Sequence, residues 1–503
     1  MDFAKLKEKY EEQIRQAQVA DVRAQIEKIN RGDIPREQMA DFSDIARRVR
    51  SENWGLRLLR PIVRSEVPVY PPPTSDELSN YAGLLIKVGA VSEAQSLLEQ
   101  LDSEKNISVL TFLSQVHIAQ WNYLKASHDL KKIIKRKEAS PYQKCVAQVN
   151  LVGAYIFLEK YTEADNLLKK ILQICQENNW DLLYGNALEL SAQVAVSQKK
   201  WKEAEEFLNQ AQKRLNQHSH YSLFIDKWKT LSDLFQTKPG SEKCQAYLKK
   251  IEVLSSKAAQ LNSWETVRDL DYHVARFLKH QNLLLNIYFG TPYSQYKKRL
   301  EKICKENNWK IPDSYFRKVS SLPAERVLDL ATGLESNRDL VEPLKPGKML
   351  HRFLNILALD FYKPISLGEV FSNLFPDEYF NPDSSPERIS QAVKQLRHWF
   401  FINEIPIDIQ VQNGCYRLQA TGAYAFKILK NAKSAKDLLD VSFEIRIRQL
   451  KIKWPYKSFS ISHATNELKI SATAVRQLLN EALKRKLLFK TGAGRSTVYR
   501  FEK

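Results

Sequence analysis

The chain has 503 residues and a formal net charge of +19, from 77 Lys and Arg against 58 Asp and Glu. With 43% apolar and 10% aromatic residues it can bury real cores, which excludes a wholly disordered chain. Its 15 glycines are too few for a Gly-rich dinucleotide enzyme, a collagen or a low-complexity linker protein. The basic excess favours a polyanionic partner, nucleic acid before an anionic membrane. No apolar stretch approaches the ~18 residues of a membrane helix. Five widely spaced cysteines and an N-terminus without a signal-peptide pattern predict a cytoplasmic protein with reduced thiols.

In chain order, residues 1–35 carry Phe3, Leu6, Tyr10, Ile14, Val22, Ile26 and Ile29 at near-helical spacing between charges, predicting a helix that caps the next unit or dimerises. Residues 36–315 hold an internal repeat. Small or apolar residues recur twelve apart with Leu four further on: Ala82/Ala94/Leu98, Ser114/Ala126/Leu130, Val152/Ala164/Leu168 and Ala192/Ala204/Leu208. A weaker unit has Leu234 and Ala246, and Ala46 with Leu58 marks an earlier hairpin over Arg36–Val63. Two antiparallel helices approach closely only where facing side chains are small, so each unit predicts a helical hairpin whose Leu fills the seam with the next. The pattern resembles the tetratricopeptide repeat, although the units step by 32, 38 and 40 residues and its usual glycines are mostly replaced. That resemblance implies a superhelix binding a peptide, a partner protein or a second copy, with a homodimer expected. Ile174-Cys175-Gln176-Glu177-Asn178-Asn179-Trp180 returns as Ile303-Cys304-Lys305-Glu306-Asn307-Asn308-Trp309, which reads as a repeated helix stop at an Asn that tolerates the left-handed conformation.

Residues 321–420 change pattern. A strand and turn at Leu328–Gly333 precede a helix from Met349, and Ser366 caps a second helix to Leu374. A third helix opens at Ser384-Ser385-Pro386-Glu387, with Ser384 and Glu387 spaced as a capping box. Strands Ile405–Val411 and Cys415–Leu418 flank the hairpin turn Asn413-Gly414. The run Val393-Lys394-Gln395-Leu396-Arg397 and the strand Gly414-Cys415-Tyr416-Arg417-Leu418 resemble the winged-helix domain of OmpR-like response regulators and antibiotic regulatory proteins. The resemblance implies that the third helix enters the major groove. Opposite its apolar stripe lie Gln391, Lys394, Gln395 and His398, flanked by Arg388 and Arg397. The block is not basic, however, with 10 Lys and Arg against 13 Asp and Glu, and phosphate binding needs positive charge.

Residues 421–503 hold 18 Lys and Arg against 6 Asp and Glu. A helix over Ala435–Lys453, a short one through Leu468, a third to Lys486 and two strands around a Gly-containing turn resemble a second winged helix, of the generic bacterial repressor type. Its third helix presents Thr473, Arg476, Gln477, Asn480 and Lys484 outward, and Arg495 stands at the wing tip. Arg forks onto guanine, Gln and Asn onto adenine, and Thr or Lys reach phosphate, so this set suits duplex DNA.

No nucleophile elbow, phosphate loop or dinucleotide fingerprint occurs, and the one close histidine pair, His218 and His220, lacks further ligands. No enzyme activity, metal or cofactor is therefore expected. The expected fold is mainly α: a tetratricopeptide-like helical-hairpin solenoid followed by two α+β winged-helix domains. The expected function is sequence-specific DNA binding by a transcriptional regulator whose array dimerises or senses an effector. The alternative is a protein-interaction scaffold in which the basic tail only aids nucleic-acid association.

Overall fold

A computed structural model describes residues 2–16, 18–65, 67–215, 219–320, 323–336, 338–430, 443, 446–447, 450–451, 453–455, 457–468, 472–492 and 497–501. Mainly helical, the chain begins with α1 (Phe3–Arg15) and α2 (Val19–Ile26). Their Phe3, Tyr10, Val22 and Ile26 are buried with Phe42 of α3 (Arg36–Arg48), so the N-terminal amphipathic stretch closes the first hairpin.

Hairpins follow in series. They are α3 with α4 (Glu52–Val63), α5 (Ser75–Val88) with α6 (Val91–Leu98), and α7 (Ile107–Ala119) with α8 (Tyr123–Lys135). Next come α9 (Pro141–Phe157) with α10 (Tyr161–Glu177), α11 (Asp181–Ser197) with α12 (Trp201–Leu215), and α13 (Ser219–Phe235) with α14 (Glu242–Gln260). The series ends with α15 (Trp264–Phe277), α16 (Gln281–Phe289) and α17 (Ser294–Glu306).

All twelve seam residues of the four clear repeats are buried. Between the helices of each pair one residue takes the left-handed conformation: Gly89, Trp121, Glu159 or Lys199. The amide of that residue and the next bond backward, as Lys199 N to Val196 O at 3.1 Å and Lys200 N to Ala195 O at 2.9 Å. This two-bond ending satisfies carbonyls that the last turn leaves open. The repeated heptapeptide behaves as a helix stop in both copies. Asn179 and Asn308 are left-handed, and Trp180 N and Trp309 N bond to Cys175 O and Cys304 O at 3.0 and 2.8 Å.

Two seam assignments need correction. In the first hairpin the left-handed residue is Arg50, so Ser43, Gly55 and Leu59 take the positions that match the other units, while the expected Ala46 and Leu58 are buried beside them. A Cβ on Gly55 would lie 2.9 Å from Leu84 and 3.2 Å from Ala46, so glycine is needed for that approach. In the fifth unit Leu234 is buried but Ala246 is exposed, because the longer turn between α13 and α14 rotates α14 and buries Cys244 instead.

After α17 the chain builds a four-stranded sheet of order β1-β7-β2-β3, from β1 (Ser314–Lys318), β2 (Val327–Asp329), β3 (Leu334–Ser336) and β7 (Ala425–Leu429). The lines drawn at 315 and 420 therefore cut through one sheet. Between its strands lie α18 (Met349–Leu359), the short β4 (Ile365–Ser366), α19 (Leu367–Leu374), α20 (Ser385–Ile402), β5 (Ile407–Gln412) and β6 (Cys415–Ala420). The second sheet has order β4-β6-β5, and Asn413 and Gly414 turn the hairpin with positive φ. Ser366 Oγ accepts from Glu369 N at 3.3 Å, as expected for a cap. Ser384 does not form the expected box. It is already helical, and Ser385 Oγ instead accepts from Asn381 N at 2.9 Å.

The apolar core runs without a break from Leu56 and Leu85 in the array, through Tyr272 and Leu300, to Phe353, Leu396 and Ile409. A separate core at the C-terminal end joins Phe443, Leu450, Phe459, Val475, Leu479 and Tyr499. It carries α21 (Ile461–Leu468), α22 (Ala472–Lys484), β8 (Leu488–Thr491) and β9 (Val498–Phe501). Most of the helix expected over 435–453 lies outside the described residues, as does His218.

Candidate functional site

In the C-terminal module, Val475, Leu478, Leu479 and Ala482 turn one face of α22 into the core. That anchoring leaves Thr473, Arg476, Gln477, Asn480 and Lys484 exposed together on the other face. The side chains of Arg476, Gln477 and Asn480 make no hydrogen bond or ion pair among the described residues, and Lys484 lies 3.9 Å from Glu481 at the exposed surface. The hairpin is braced by Phe459, whose N and O pair with Tyr499 O and N at 2.9 and 2.8 Å. Its outer face presents Phe489 opposite Arg500, both exposed. Sequence reading passed over this pair, although an alternating strand with a buried Leu488 and Phe501 would have placed it outward. Arg495 lies outside the described residues.

The comparable helix of the first module, α20, buries Ile389, Val393, Leu396 and Phe400 and exposes Gln391, Lys394, Gln395 and His398. Its two arginines are engaged within the molecule. Arg388 forms a two-pronged ion pair with Glu378 and lies over the Phe375 ring at 3.9 Å. The Arg388 hydrogen bond holds the Glu378 carboxyl below its usual range. Arg397 Nε donates to Asp408 Oδ1 at 2.8 Å, and its Nη2 donates to Ile409 O at 2.5 Å. In its last turn the helix also presents Phe401, 79% exposed.

A third constellation, invisible in the sequence, joins the array to the first module. Arg268 of α15 is fully buried, and its Nη2 donates to both carboxylate oxygens of Asp360 at 2.8 Å. Asp360 Oδ1 also accepts from the backbone N–H of Tyr362 and Lys363 at 2.9 and 3.0 Å. The rings of Trp121, Tyr293, Tyr296 and Tyr362 surround the guanidinium at 5.3 to 6.0 Å. Burial opposes the Arg268 charge, yet Asp360 and Glu265 hold its pKa above the ordinary arginine value. Beside this pair, Tyr362 OH donates to Asp271 Oδ2 at 2.7 Å. At the other end of the module Arg57 meets Asp383 at 2.7 Å, and Glu93 accepts from Phe380 N at 2.8 Å. Two distant parts of the array, the first two hairpins and α15, thus grip one module.

No family model matches the chain, and no curated protein matches it. Among solved structures it is similar to the apo form of RapI, over 61% of this chain and 100% of that one, with 13% identity and a TM-score of 0.33. That similarity is too distant to assign a function. No helix among the described residues is long and apolar enough to cross a membrane.

Proposed function

We propose that the chain is a non-catalytic, DNA-binding transcriptional regulator of the cytoplasm. In this reading a tetratricopeptide-like array, fused to an OmpR-like winged helix, senses an effector or partner or pairs with a second copy. A basic winged helix at the C-terminal end contacts duplex DNA. The reading is carried by α22, where Thr473, Arg476, Gln477, Asn480 and Lys484 share one exposed face on a basic module. Such a face on a helix braced by a hairpin is the arrangement that major-groove readers use.

The test is selection from a random duplex pool followed by gel shift with the selected site. Replacing Arg476, Lys484 and Arg495 together by alanine should weaken binding by more than about tenfold, since a base-contacting fork contributes ~1–3 kcal/mol and phosphate contacts add to it. Unchanged binding by that variant sinks the reader role of α22. A second reading, with the first module as a protein-docking element, is favoured by the internal pairing of Arg388 and Arg397. Absence of any selected duplex would favour it over DNA binding.

A further inference from the structure

We propose that Cys145 and Cys175 are a modification site, a thiol pair that a hydroperoxide converts into a disulfide across the open end of the hairpin α9–α10. The two stand 30 positions apart, belong to no cysteine motif and meet only through the fold. Cys145 lies near the start of α9 and Cys175 in the last turn of α10, so both sit at the end of the hairpin away from its Glu159 turn. Their sulfurs are 3.5 Å apart, in direct contact, and both thiols are free. The remaining approach to a bonded distance of about 2.0 Å is short beside the movement of a fraying helix end. Among the described residues no other two cysteines come within hydrogen-bond reach of each other. Cys304 is the internal comparison. It holds the place of Cys175 in the repeated heptapeptide and is also buried, yet no thiol stands beside it. The pairing is therefore not a by-product of the helix stop.

No third His, Cys, Asp or Glu joins the two thiols in a metal-ligand group among the described residues, so the chemistry open to them is that of sulfur itself. The reaction takes two steps. One thiolate attacks the O–O bond of the hydroperoxide, which gives a sulfenic acid and releases an alcohol or, from hydrogen peroxide, water. The second thiol then attacks that sulfur; the S–S bond forms, the S–O bond breaks and water leaves. Two thiols thereby lose two electrons and two protons, and the peroxide takes them up. Contact between the sulfurs favours the second step over further oxidation, a protection that Cys304 lacks. Burial holds both thiols above their usual pKa, and the Cys145 sulfur helps to push Cys175 up to about 12. The closed pair is thus protonated at neutral pH and reacts only when the helix ends open. The two cysteines belong to a small core with Val152, Ala164 and Leu168, separate from the one that runs into the first module. A cross-link there locks one hairpin of the array without touching that module.

The experiment exposes the reduced full chain to hydrogen peroxide at room temperature, blocks the remaining thiols with N-ethylmaleimide and maps the peptides by mass. The expected product is a cross-link joining Cys145 to Cys175, with a loss of two hydrogen atoms that dithiothreitol reverses. Cys244, Cys304 and Cys415 should form no disulfide. The oxidised chain should melt about 2–5 °C above the reduced one, since the bond constrains the unfolded hairpin. Cys175→Ala should gain neither the cross-link nor the rise, and Cys304→Ala should gain both. Cys145→Ala repeats the loss from the other side of the pair, and the wild-type map stands independently of how any variant folds. No cross-link in the folded chain, one formed only after unfolding in urea, or one that joins other cysteines overturns the proposal. So does a Tm rise in oxidised wild type no larger than that of Cys175→Ala treated in the same way.

Discussion

At the scale of single residues, the buried Arg268–Asp360 pair shows how little a contact's chemistry owes to sequence proximity. The two lie 92 positions apart, and neither belongs to a motif. Replacing such a pair by apolar residues is often neutral, whereas removing one partner strands a charge in a medium that cannot solvate it. Arg268→Ala should therefore lower stability by ~3–5 kcal/mol in urea unfolding. Arg268→Met combined with Asp360→Asn should recover a large part of that loss. A second residue with a legible consequence is His273, which packs against Trp228 and Tyr272 and lies 3.6 Å from Asp269. Burial pushes its pKa down to about 4, with Lys227 and the nearby arginines acting in the same direction against Asp269. The unfolded chain takes up this proton near pH 6.5, before the folded one does. The native neutral imidazole thus contributes in full above that pH, and its contribution fades as pH falls toward 4. By linkage the window holds about 2–4 kcal/mol. His273→Gln should flatten the stability profile between pH 6.5 and 4, and an unchanged profile would count against burial as the cause.

At the scale of elements, four hairpins were readable because close packing leaves a direct trace in residue size. Small side chains twelve apart can mean little else in a helical chain, and all of them are buried here. The same logic explains the failures. The pair α15–α16 uses Tyr272, Leu284 and Tyr288 at the corresponding positions, so no small residue advertises it. α14 is displaced by its longer turn, and Ser43 with Gly55 hid behind a more obvious alanine. The exposed face of α20 was legible from a helical wheel, but the fate of its arginines was not, because Glu378 and Asp408 reach them from a loop and a strand. The turns carry a cost that sequence does reveal. Trp121, Glu159 and Lys199 sit in the left-handed region where Gly89 alone has no Cβ to strain. Lys199 is exposed and bonds only through its backbone at this turn. Lys199→Gly should stabilise the hairpin by up to ~1 kcal/mol, read as a rise in the urea midpoint at constant slope.

At the scale of the molecule, the division that matters does not follow the change from repeats to strands. The first module shares its apolar core with two separate parts of the array, and polar contacts lock both ends. Gly368 belongs to this seam, since a Cβ there would lie 2.5 Å from Val88 O and 2.9 Å from Ala90 N. The C-terminal module keeps a core of its own. Cooperative unfolding follows shared burial, so the first module and the array hairpins that share its core should melt as one unit and the C-terminal module as another. Calorimetry should then resolve two transitions. Arg268→Ala and Gly368→Ala, although one lies in a repeat and the other in the first module, should both lower the same larger transition and leave the smaller one in place. If Gly368→Ala instead split off a third transition while Arg268→Ala did not, the seam would be a docking contact between independent units. If both shift one endotherm together, the first module and the array hairpins it packs on unfold as one body, and the C-terminal module that carries α22 melts apart from them.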